Sequence, residues 1–342
     1  MKAITELTLQ ELQGVLGAWG DPAYHAKQVF SWIFQRGVLD FAAMSDLPNG
    51  LRERLAKNFS ITDILLIESQ LSRDGTRKFL FRLNDGYYIE AVAIPAEKRL
   101  TACISSQAGC RFACRFCASG KTGLKRNLTT GEIVNQLLHI RNSEQEKQLT
   151  HVVFMGTGEP LDNYDAVLRA VRTINAECGF GIGARRITIS TCGLVPGIAR
   201  LAGEGLQIEL SVSLHAADDV TRNMLMPVNR KYPLAVLMNA LRDYVAKTKR
   251  QVTFEYILAE GVNSDLPSAQ NLCTILRGLT CKVNLIPVNP FGVKGMVPPG
   301  KLAILKFCNR LKKCGIPATV RTPRGQDIEA ACGQLRLRYE KN

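Results

Sequence analysis

The stretch Gly109-Cys110-Arg111-Phe112-Ala113-Cys114-Arg115-Phe116-Cys117-Ala118-Ser119-Gly120 contains three cysteines at the spacing C-x3-C-x2-C. Iron–sulfur clusters are held by cysteine thiolates, and three thiolates on one short loop can each bind a different iron of a four-iron cluster. Only three ligands are offered locally, so one iron keeps an open coordination position at which chemistry can occur. The loop therefore predicts a [4Fe-4S] cluster held by Cys110, Cys114 and Cys117.

A structural zinc site is the alternative interpretation of the same cysteines. Zinc usually takes two C-x2-C pairs, or one such pair with two histidines a few residues apart. The chain has four histidines, and none is close in sequence to another: His25, His139, His151 and His215. Since no second ligand pair is evident, the sequence favours a cluster over zinc, with ordinary core cysteines as the remaining alternative.

The composition is that of a soluble globular protein, with 46% hydrophobic and 22% charged residues among 342. We expect one large domain with an appendage. No apolar run reaches the roughly 20 residues needed to span a bilayer, and the first residues lack the apolar core of a signal peptide. Eleven cysteines persist as ligands or nucleophiles only in a reducing compartment. We therefore expect a cytoplasmic protein with no membrane partner.

The chain is strongly basic. Its 44 Lys and Arg residues against 30 Asp and Glu give a formal net charge of +14. Such a field attracts polyanions, and nucleic acid is the natural partner. The cations are spread along the chain in pairs such as Lys98-Arg99 and Arg185-Arg186. A defined RNA-binding face and a generally basic surface therefore both stay open.

Periodicity predicts two small units before residue 100. The first 60 residues have a helical pattern, in which Thr8-Leu9-Gln10-Glu11 has the form of a capping box. Residues 62–94 alternate instead, with hairpin turn residues at Arg73-Asp74-Gly75 and Asn84-Asp85-Gly86. The predicted strands are Ile64–Ile67, Lys78–Arg82 and Tyr87–Val92. The sequence thus predicts a helical appendage followed by a three-stranded antiparallel meander.

From residue 100 strands and helices alternate. Six strands are predicted, at Thr101–Ser105, His151–Met155, Arg186–Thr191, Gln207–Ser213, Val252–Leu258 and Lys282–Pro287. Helices are predicted between or after them, at Thr130–Arg141, Tyr164–Glu177, Leu234–Thr248, Ser268–Gly278 and Lys301–Cys314. This alternation favours the α/β class, with a parallel sheet closed or nearly closed into a barrel. Functional residues of such a barrel lie at the carboxyl ends of the strands, and the cysteine loop follows the first strand.

A glycine-rich turn, Met155-Gly156-Thr157-Gly158-Glu159-Pro160, follows the second strand. Its glycines let the backbone approach a ligand closely, and Glu159 can accept hydrogen bonds from an ammonium group, although an ordinary turn has the same pattern. Polar residues also follow three later strands, where a barrel presents its ligand: Ser190, Ser213-Leu214-His215 and Asn289. Each is otherwise a simple turn residue.

The cysteine spacing, with Phe116 before the last cysteine, resembles the signature of the radical S-adenosylmethionine (SAM) superfamily. Further stretches in the same order resemble the RlmN/Cfr family of radical SAM RNA methyltransferases: Arg126–Ile133, Arg186–Thr191, Ser213–His215, Leu225–Asn229 and Ala331-Cys332-Gly333. This resemblance covers nearly the whole chain. It implies a partial (β/α)6 TIM-type barrel over residues 99–322, preceded by a helical RNA-binding domain (1–60) and an antiparallel β extension (61–98), and followed by a tail (323–342).

The resemblance also implies the cofactors. In the superfamily the open iron chelates the amino and carboxylate groups of SAM, and an electron passed through the cluster cleaves SAM to a 5′-deoxyadenosyl radical. Two SAM molecules serve each turnover. The residues implied to bind SAM are Gly158, Glu159, Ser190, Ser213, Leu214, His215 and Asn289.

Three side chains are implied to carry the chemistry. Carbon 2 of adenine is too electron-poor to attack the methyl group of SAM, so a radical is required. Cys332 first takes a methyl group from SAM as a thiolate nucleophile, and the radical from a second SAM removes hydrogen from that methyl group. The carbon radical adds to adenine and Glu90 takes the ring proton. Cys103 then attacks the sulfur of Cys332, leaving a disulfide that an external reductant reopens.

Each of these residues has a plainer interpretation. Taken singly, Cys103 and Cys332 would be small buried apolar side chains, and Glu90 an outward-facing residue of a strand. The family match favours the catalytic roles. Thr157 and Ser119 depart from the methionine and threonine that are common in the family, which affects the fine placement of the substrate.

The implied substrates are the 23S rRNA, at adenine 2503 of the peptidyl-transferase centre, and adenine 37 of tRNA. A flavodoxin-type electron donor and a monomeric enzyme are also implied. Pro160 favours the RlmN branch, which methylates carbon 2, over the Cfr branch, which methylates carbon 8 and confers antibiotic resistance. In the helical domain the residues predicted to contact RNA are Lys27, Arg36, Arg52 and Arg54. A more distant alternative is a zinc-stabilised RNA-binding protein without catalysis.

Overall fold

The computed structural model describes residues 1–144, 146–288, 296–321, 324–325, 327–328 and 334–339. The first sixty residues are helical, as predicted. They contain strand β1 (Lys2–Ala3), helices α1 (Leu9–Ala18), α2 (Tyr24–Phe30) and α3 (Asn49–Asn58), and strand β2 (Phe59–Ser60), which pairs in parallel with β1. Single helical turns lie at Ile4–Glu6, Ser31–Gln35 and Phe41–Ala43.

The predicted capping box begins α1. Thr8 Oγ1 accepts a hydrogen bond from the Glu11 N–H at 3.2 Å, and Glu11 Oε2 accepts one from the Thr8 N–H at 2.7 Å. The same glutamate reaches the barrel, because Glu11 Oε2 lies 2.7 Å from Arg169 Nη2. Arg169 also donates to the carbonyl of Glu6 at 2.8 Å. These contacts hold the helical unit against the outer side of the barrel.

The antiparallel meander is confirmed and continues into the barrel sheet. Its strands are β3 (Ile64–Leu71), β4 (Arg77–Leu83) and β5 (Tyr88–Ala96), and β5 also pairs antiparallel with β6 (Arg99–Cys103). Both predicted hairpin turns contain a glycine with positive φ, +81° at Gly75 and +87° at Gly86. The meander is therefore one edge of the sheet that forms the barrel.

The parallel part of the sheet contains all six predicted strands, with ends shifted by two residues at most. After β6, a small hairpin of β7 (Gln107–Gly109) and β8 (Leu124–Asn127) encloses the cysteine loop. The remaining strands are β9 (Leu149–Phe154), β10 (Ile187–Thr191), β11 (Glu209–Ser213), β12 (Val252–Leu258), β13 (Cys281–Pro287) and β14 (Ala318–Val320). The sheet order β14-β13-β12-β11-β10-β9-β6-β5-β4-β3 makes β14 and β3 the edges of an open, partial barrel.

Helices alternate with these strands. They are α4 (Thr130–Ser143), α5 (Tyr164–Asn175), α6 (Val195–Leu201), α7 (Asp219–Leu225), α8 (Leu234–Thr248), α9 (Leu266–Leu276), α10 (Lys301–Lys313) and α11 (Gln334–Tyr339). Single turns lie at Ala118–Gly120, Pro160–Asp162, Ala184–Arg186 and Pro227–Arg230. Apolar strand residues such as Val152, Ile189 and Phe254 are fully buried in the main core. Within the described ranges no helix has the length and apolar character to cross a membrane.

Strand β14 and helices α6 and α7 were not predicted. Strand β14 is an edge of three residues, two of them exposed, so it lacks an apolar run. Helices α6 and α7 have seven residues each, about two turns, which is too short for a clear helical period. Short elements of this kind depend on tertiary packing rather than on their own pattern.

Candidate active site

The cysteine loop is held at both ends by backbone contacts. Gly109 has φ +81°, and a Cβ there would lie 1.9 Å from the carbonyl oxygen of Gly123, so only glycine fits. The Cys110 N–H donates to that same carbonyl at 3.1 Å. At the far side, the Arg115 N–H donates to the carbonyl of Leu225 at 2.8 Å, which docks the loop on the end of α7.

The three cysteines share this loop and are half-buried. Burial raises the pKa of the Cys110 thiol to about 12, and the nearby Cys117 adds to the rise. Burial also raises the pKa of Cys114, with Cys117 and Cys110 acting in the same direction. The sulfurs are thus close enough to influence one another, and a bound metal is what allows such thiols to lose their protons together.

Among the described residues, no three Cys, His, Asp or Glu side chains are close enough together to bind one metal ion. In a cubane cluster each cysteine binds a different iron, so the three sulfurs need not meet at one point. Three thiols on one loop are a donor set that suits a four-iron cluster in which one iron has no protein ligand.

The glycine-rich turn after β9 is locked onto the segment that follows β6. The N–H groups of Ser106 and Gln107 donate to the carbonyl of Thr157 at 2.9 and 3.1 Å. Gly158 has φ +110°, and a Cβ there would lie 2.6 Å from Gln107 Cβ. Glycine at position 158 is therefore required for this close approach, and the turn is held beside the cysteine loop.

Glu159 lies at the start of the next turn with its carboxylate buried. Its Oε2 accepts a hydrogen bond from the Cys192 N–H at 2.7 Å, and its Oε1 accepts one from the Leu161 N–H at 3.1 Å. Burial raises the pKa of this carboxyl group, while the backbone donors act in the opposite direction. Carboxylate oxygens have further lone pairs, so Glu159 can still accept from a ligand ammonium group.

The predicted residues of β10 and β11 lie at the carboxyl ends of these neighbouring strands. Ser190 and Ser213 are half-buried, and Leu214 is fully buried. His215 is buried with φ +58°, and its ring contacts Phe116 of the cysteine loop edge-on at a centroid distance of 4.6 Å. The structure thus joins the end of β11 directly to the cysteine loop.

The protonation of His215 follows from its surroundings. Burial lowers its pKa to about 3, and the neighbouring Arg222 adds to the effect. Its Nδ1 accepts a hydrogen bond from the Ile257 N–H at 3.1 Å. The ring is therefore neutral near pH 7, and its proton is on Nε2, which remains a hydrogen-bond donor.

Some buried polar atoms have no hydrogen-bond partner among the described residues. They include Thr157 Oγ1, Ser119 Oγ and Glu255 Oε2, from the glycine-rich turn, the cysteine loop and β12. Buried polar groups are normally paired, and unpaired ones at a site indicate a missing ligand or water. These atoms, together with Glu159 and the Nε2–H of His215, fit a ligand rich in amino, hydroxyl and carboxylate groups, as SAM is.

Arg222 on α7 ties the strand ends together. It is fully buried, and its guanidinium donates to the carbonyls of Leu214 and Cys192 at 3.1 and 2.9 Å and to Asn229 Oδ1 at 2.7 Å. One cation therefore connects the ends of β10 and β11 to the support of the cysteine loop.

Replacing Arg222 with methionine is expected to destabilise the fold by at least about 3 kcal/mol, because three buried acceptors lose their donor. Urea unfolding of the protein measures this change. Arg230→Met, at an exposed position of the next turn, is the matched control and should change stability by less than about 0.5 kcal/mol. Equal effects of the two substitutions would contradict this role.

Glu90 and Cys103 lie on one face of the sheet. Val92 of β5 is directly opposite Cys103 of β6, so their side chains share a face, and Glu90 is two residues from Val92 on that face. Both predicted residues are buried. Ser105 Oγ donates to the carbonyl of Glu90 at 2.6 Å and accepts from the Thr157 N–H at 2.8 Å. The strand of Glu90 is therefore connected to the glycine-rich turn.

The tail is attached to the meander on either side of residues 329–333. Before them, the Asp327 carboxylate accepts from Ser72 Oγ and from the Arg73 N–H, and the Gly325 N–H donates to Asp74 Oδ2 at 3.0 Å. After them, α11 packs against β5, and Tyr339 donates to Glu68 Oε2 at 2.6 Å. Cys332 itself lies outside the described residues, as does Asn289, which follows β13.

Sequence reasoning missed several residues that shape this site. They are Ser105, Gln107, Arg222 and Lys78, the last of which forms an ion pair with Glu90. The run of polar residues Ser105-Ser106-Gln107 directly after a buried strand was a signal for the first two. Arg222 and Lys78 gave none, because arginine and lysine are usually exposed.

Two relatives show to which family this chain belongs. A protein named "Probable dual-specificity RNA methyltransferase RlmN" from Geobacillus thermodenitrificans (strain NG80-2) is 47% identical over 343 residues, covering 100% of this chain and 94% of the relative. A protein of the same name from Staphylococcus aureus (strain JH9) is 44% identical over 339 residues, covering 98% and 93%. This chain belongs to the RlmN family of radical SAM methyltransferases.

Family models and a solved structure agree. The radical SAM superfamily model matches residues 104–268, and the ribosomal RNA large subunit methyltransferase N-terminal domain matches residues 3–61. A crystal structure of a radical SAM methyltransferase from Sphaerobacter thermophilus has a TM-score of 0.93 and 47% identity, covering 98% of this chain and 99% of that one. The predicted family, α/β partial-barrel class and methyltransferase activity are confirmed.

Membership of the RlmN family also settles the class of cofactor. SAM and a [4Fe-4S] cluster belong to every radical SAM reaction of this kind, so the zinc-stabilised, non-catalytic alternative no longer applies. The individual ligands and catalytic residues remain predictions.

Proposed function

We propose that this enzyme methylates carbon 2 of adenine in RNA, at adenine 2503 of 23S rRNA and at adenine 37 of tRNA. Two SAM molecules serve each turnover, one as the methyl donor to Cys332 and one as the source of the radical. The observation that carries the proposal is the shared sheet face of Glu90 and Cys103, together with the packing of α11 of the tail against β5.

The arrangement of this face suits a relay through two cysteines. Cys103 is at the end of β6, directly before the segment that leads to the cysteine loop. The tail is fixed at Gly325 and Asp327 on one side and at α11 on the other. Only six residues separate Ile328 from residue 335. The proposed carrier Cys332 belongs to the segment between these two anchors.

The roles of the chain's own residues follow from their positions. Cys110, Cys114 and Cys117 hold the cluster, which with SAM bound supplies the 5′-deoxyadenosyl radical. Glu159, Ser190, Ser213 and His215 bind and orient SAM, with His215 as a neutral donor. Glu90 accepts the proton of carbon 2, because it is a buried carboxylate on the face where the substrate ring must lie.

Cys103 completes the reaction as a nucleophile. Its thiolate attacks the sulfur of Cys332, and the sulfur–carbon bond breaks while the electron pair and a solvent proton complete the new methyl group. The two cysteines are left as a disulfide. Two electrons and two protons from an external dithiol or reductase restore them.

RNA as the substrate is supported by the names of the relatives and by the net charge of +14. We propose residues 1–60 as an RNA-binding domain, 61–98 as an extension, 99–322 as the barrel and 323–342 as the carrier tail. Lys27 and Arg36 are exposed on the first of these and suit RNA contact. Arg54 instead pairs with Asp21, and Arg52 donates to the carbonyl of Ala42, so these two stabilise the domain itself.

We also propose the electron donor, the oligomeric state and the compartment of the reaction. A flavodoxin-type protein supplies the electron, the enzyme acts as a monomer, and the reducing cytoplasm keeps eleven cysteines available as thiols. Relatives carrying the RlmN name support carbon 2 rather than carbon 8 as the site of methylation.

Anaerobic reconstitution followed by reaction with 23S rRNA tests the proposal. We expect a brown protein with about four irons per chain, and 2-methyladenine in the digested RNA by mass spectrometry. Cys117→Ser is the control, because loss of one ligand should abolish SAM cleavage while the fold persists. A product of 8-methyladenine, or a reconstituted protein that leaves adenine unmethylated, would contradict it.

A further inference from the structure

A buried lysine faces the proposed base. Lys78 on β4 is fully buried, and its Nζ lies 3.0 Å from Glu90 Oε2. Leu80 is directly opposite Glu90 in the pairing of β4 with β5, and Lys78, two residues before Leu80, is directly opposite Val92. Lys78 therefore projects from the same sheet face as Glu90. A lysine is almost never fully buried unless it is paired, so the sheet places this cation specifically against Glu90.

We propose that Lys78 is a positioning residue that keeps Glu90 ionised so that it can take the proton of adenine carbon 2. This inference rests on the proposed function, because it assigns Glu90 as the base. Burial without a counter-charge favours the neutral form of a carboxyl group, and a neutral carboxyl group cannot accept a proton. A cation at 3.0 Å favours the charged form instead.

The other charged and titratable groups on this face have other partners or are exposed. Glu68 on β3 is held by Arg338 and Tyr339 of α11, at 3.0 and 2.6 Å. Arg82 on β4 is exposed, and Tyr88 on β5 contacts the ring of Tyr339 at 5.7 Å. Cys103 on β6 completes the set. Arg338 of α11 is thus engaged by Glu68, whereas Lys78 of β4 is engaged by Glu90.

Glu90 acts on the bond between adenine carbon 2 and its hydrogen. After the methylene radical has added to carbon 2, the carbon–hydrogen bond breaks heterolytically and the proton goes to the Glu90 carboxylate. The electron pair of that bond stays with the ring, and one electron must then leave the adduct for the ring to become aromatic again. A [4Fe-4S] cluster held by Cys110, Cys114 and Cys117 would be the one-electron acceptor. Lys78 neither gives nor takes a proton in this step.

Loss of deuterium from carbon 2 isolates the step. The reconstituted enzyme carries Cys103→Ala, which leaves the covalent adduct unresolved, and the RNA carries deuterium at carbon 2 of the target adenine. The rate at which the covalent adduct loses deuterium is followed by mass spectrometry from about pH 6 to 9. For this parent, which carries only Cys103→Ala, we expect the rate of deuterium loss to be nearly independent of pH. With Lys78→Met added, the rate of deuterium loss should be at least about tenfold lower at pH 6.5 and should approach the parent rate at high pH. This corresponds to a shift of the pH profile by about one pH unit or more.

Controls separate this inference from the proposed function. Lys78→Arg keeps the cation and should keep the flat pH profile, and Lys78→Gln replaces Lys78→Met if the latter does not fold. A purely structural role would lower the adduct yield equally at every pH. Superimposable pH profiles of Lys78→Met or Lys78→Gln and the parent would overturn the role of Lys78. Unchanged deuterium loss in Glu90→Gln would instead overturn Glu90 as the base.

Discussion

Replacing Cys332 with alanine is expected to lower RNA methylation by more than about 10³-fold, because no nucleophile remains to carry the methyl group. Intact-protein mass spectrometry after incubation with SAM should show one added methyl group on the reconstituted parent and none on the variant. The methylated nucleoside in the RNA should fall in parallel. The protein mass isolates the transfer of the methyl group to Cys332, which requires no RNA, and the nucleoside analysis reports on the complete reaction.

A matched control uses another cysteine of the chain. Cys314 is exposed at the end of α10, away from the strand ends that form the site. Cys314→Ala should gain the methyl group and methylate RNA as the parent does. Substantial RNA methylation by Cys332→Ala would rule out the carrier role, whatever the behaviour of the control.

Replacing Cys103 with alanine is expected to leave the enzyme covalently bound to its RNA. Without this thiol nothing attacks the sulfur of Cys332, so the sulfur–carbon bond to the RNA-bound methylene persists. A denaturing gel should show most of the reacted RNA shifted to the mass of a protein–RNA adduct. Turnover should then stop at no more than about one RNA per enzyme.

Two variants sharpen this test. Cys103→Ser has a hydroxyl of similar size that cannot form a disulfide, and it should trap the same adduct. The double variant Cys103→Ala with Cys332→Ala should trap none, because the carrier is missing. Free, fully methylated RNA from Cys103→Ala would show that another group resolves the adduct.

The strands and the turns were predictable because their patterns are local. The apolar runs at Val252–Leu258 and Ile187–Thr191 showed buried parallel strands, and the glycines at 75 and 86 marked hairpin turns. The cysteine spacing alone was enough to predict a cluster. All of these features lie within a dozen residues of chain.

Features that depend on pairing between distant segments were not predictable. The neighbouring positions of Cys103 and Glu90 require the register that sets Val92 opposite Cys103. Lys78 and Arg222 are buried because each meets acceptors from other strands, namely Glu90 in one case and the carbonyls of Leu214 and Cys192 in the other. Burial of such cations contradicts their usual exposure, so only tertiary structure shows it.

In the proposed mechanism a methyl group reaches an electron-poor carbon through a radical on the side chain of Cys332. Reaction of reconstituted enzyme with SAM bearing a trideuterated methyl group, followed by mass spectrometry of the adenine product and of 5′-deoxyadenosine, tests it most directly. We predict 2-methyladenine with two deuterium atoms in its methyl group. The third deuterium should be found in 5′-deoxyadenosine, and a hydrogen from solvent should take its place in the methyl group. A product that keeps all three deuterium atoms would contradict the account, since it would show direct transfer of an intact methyl group.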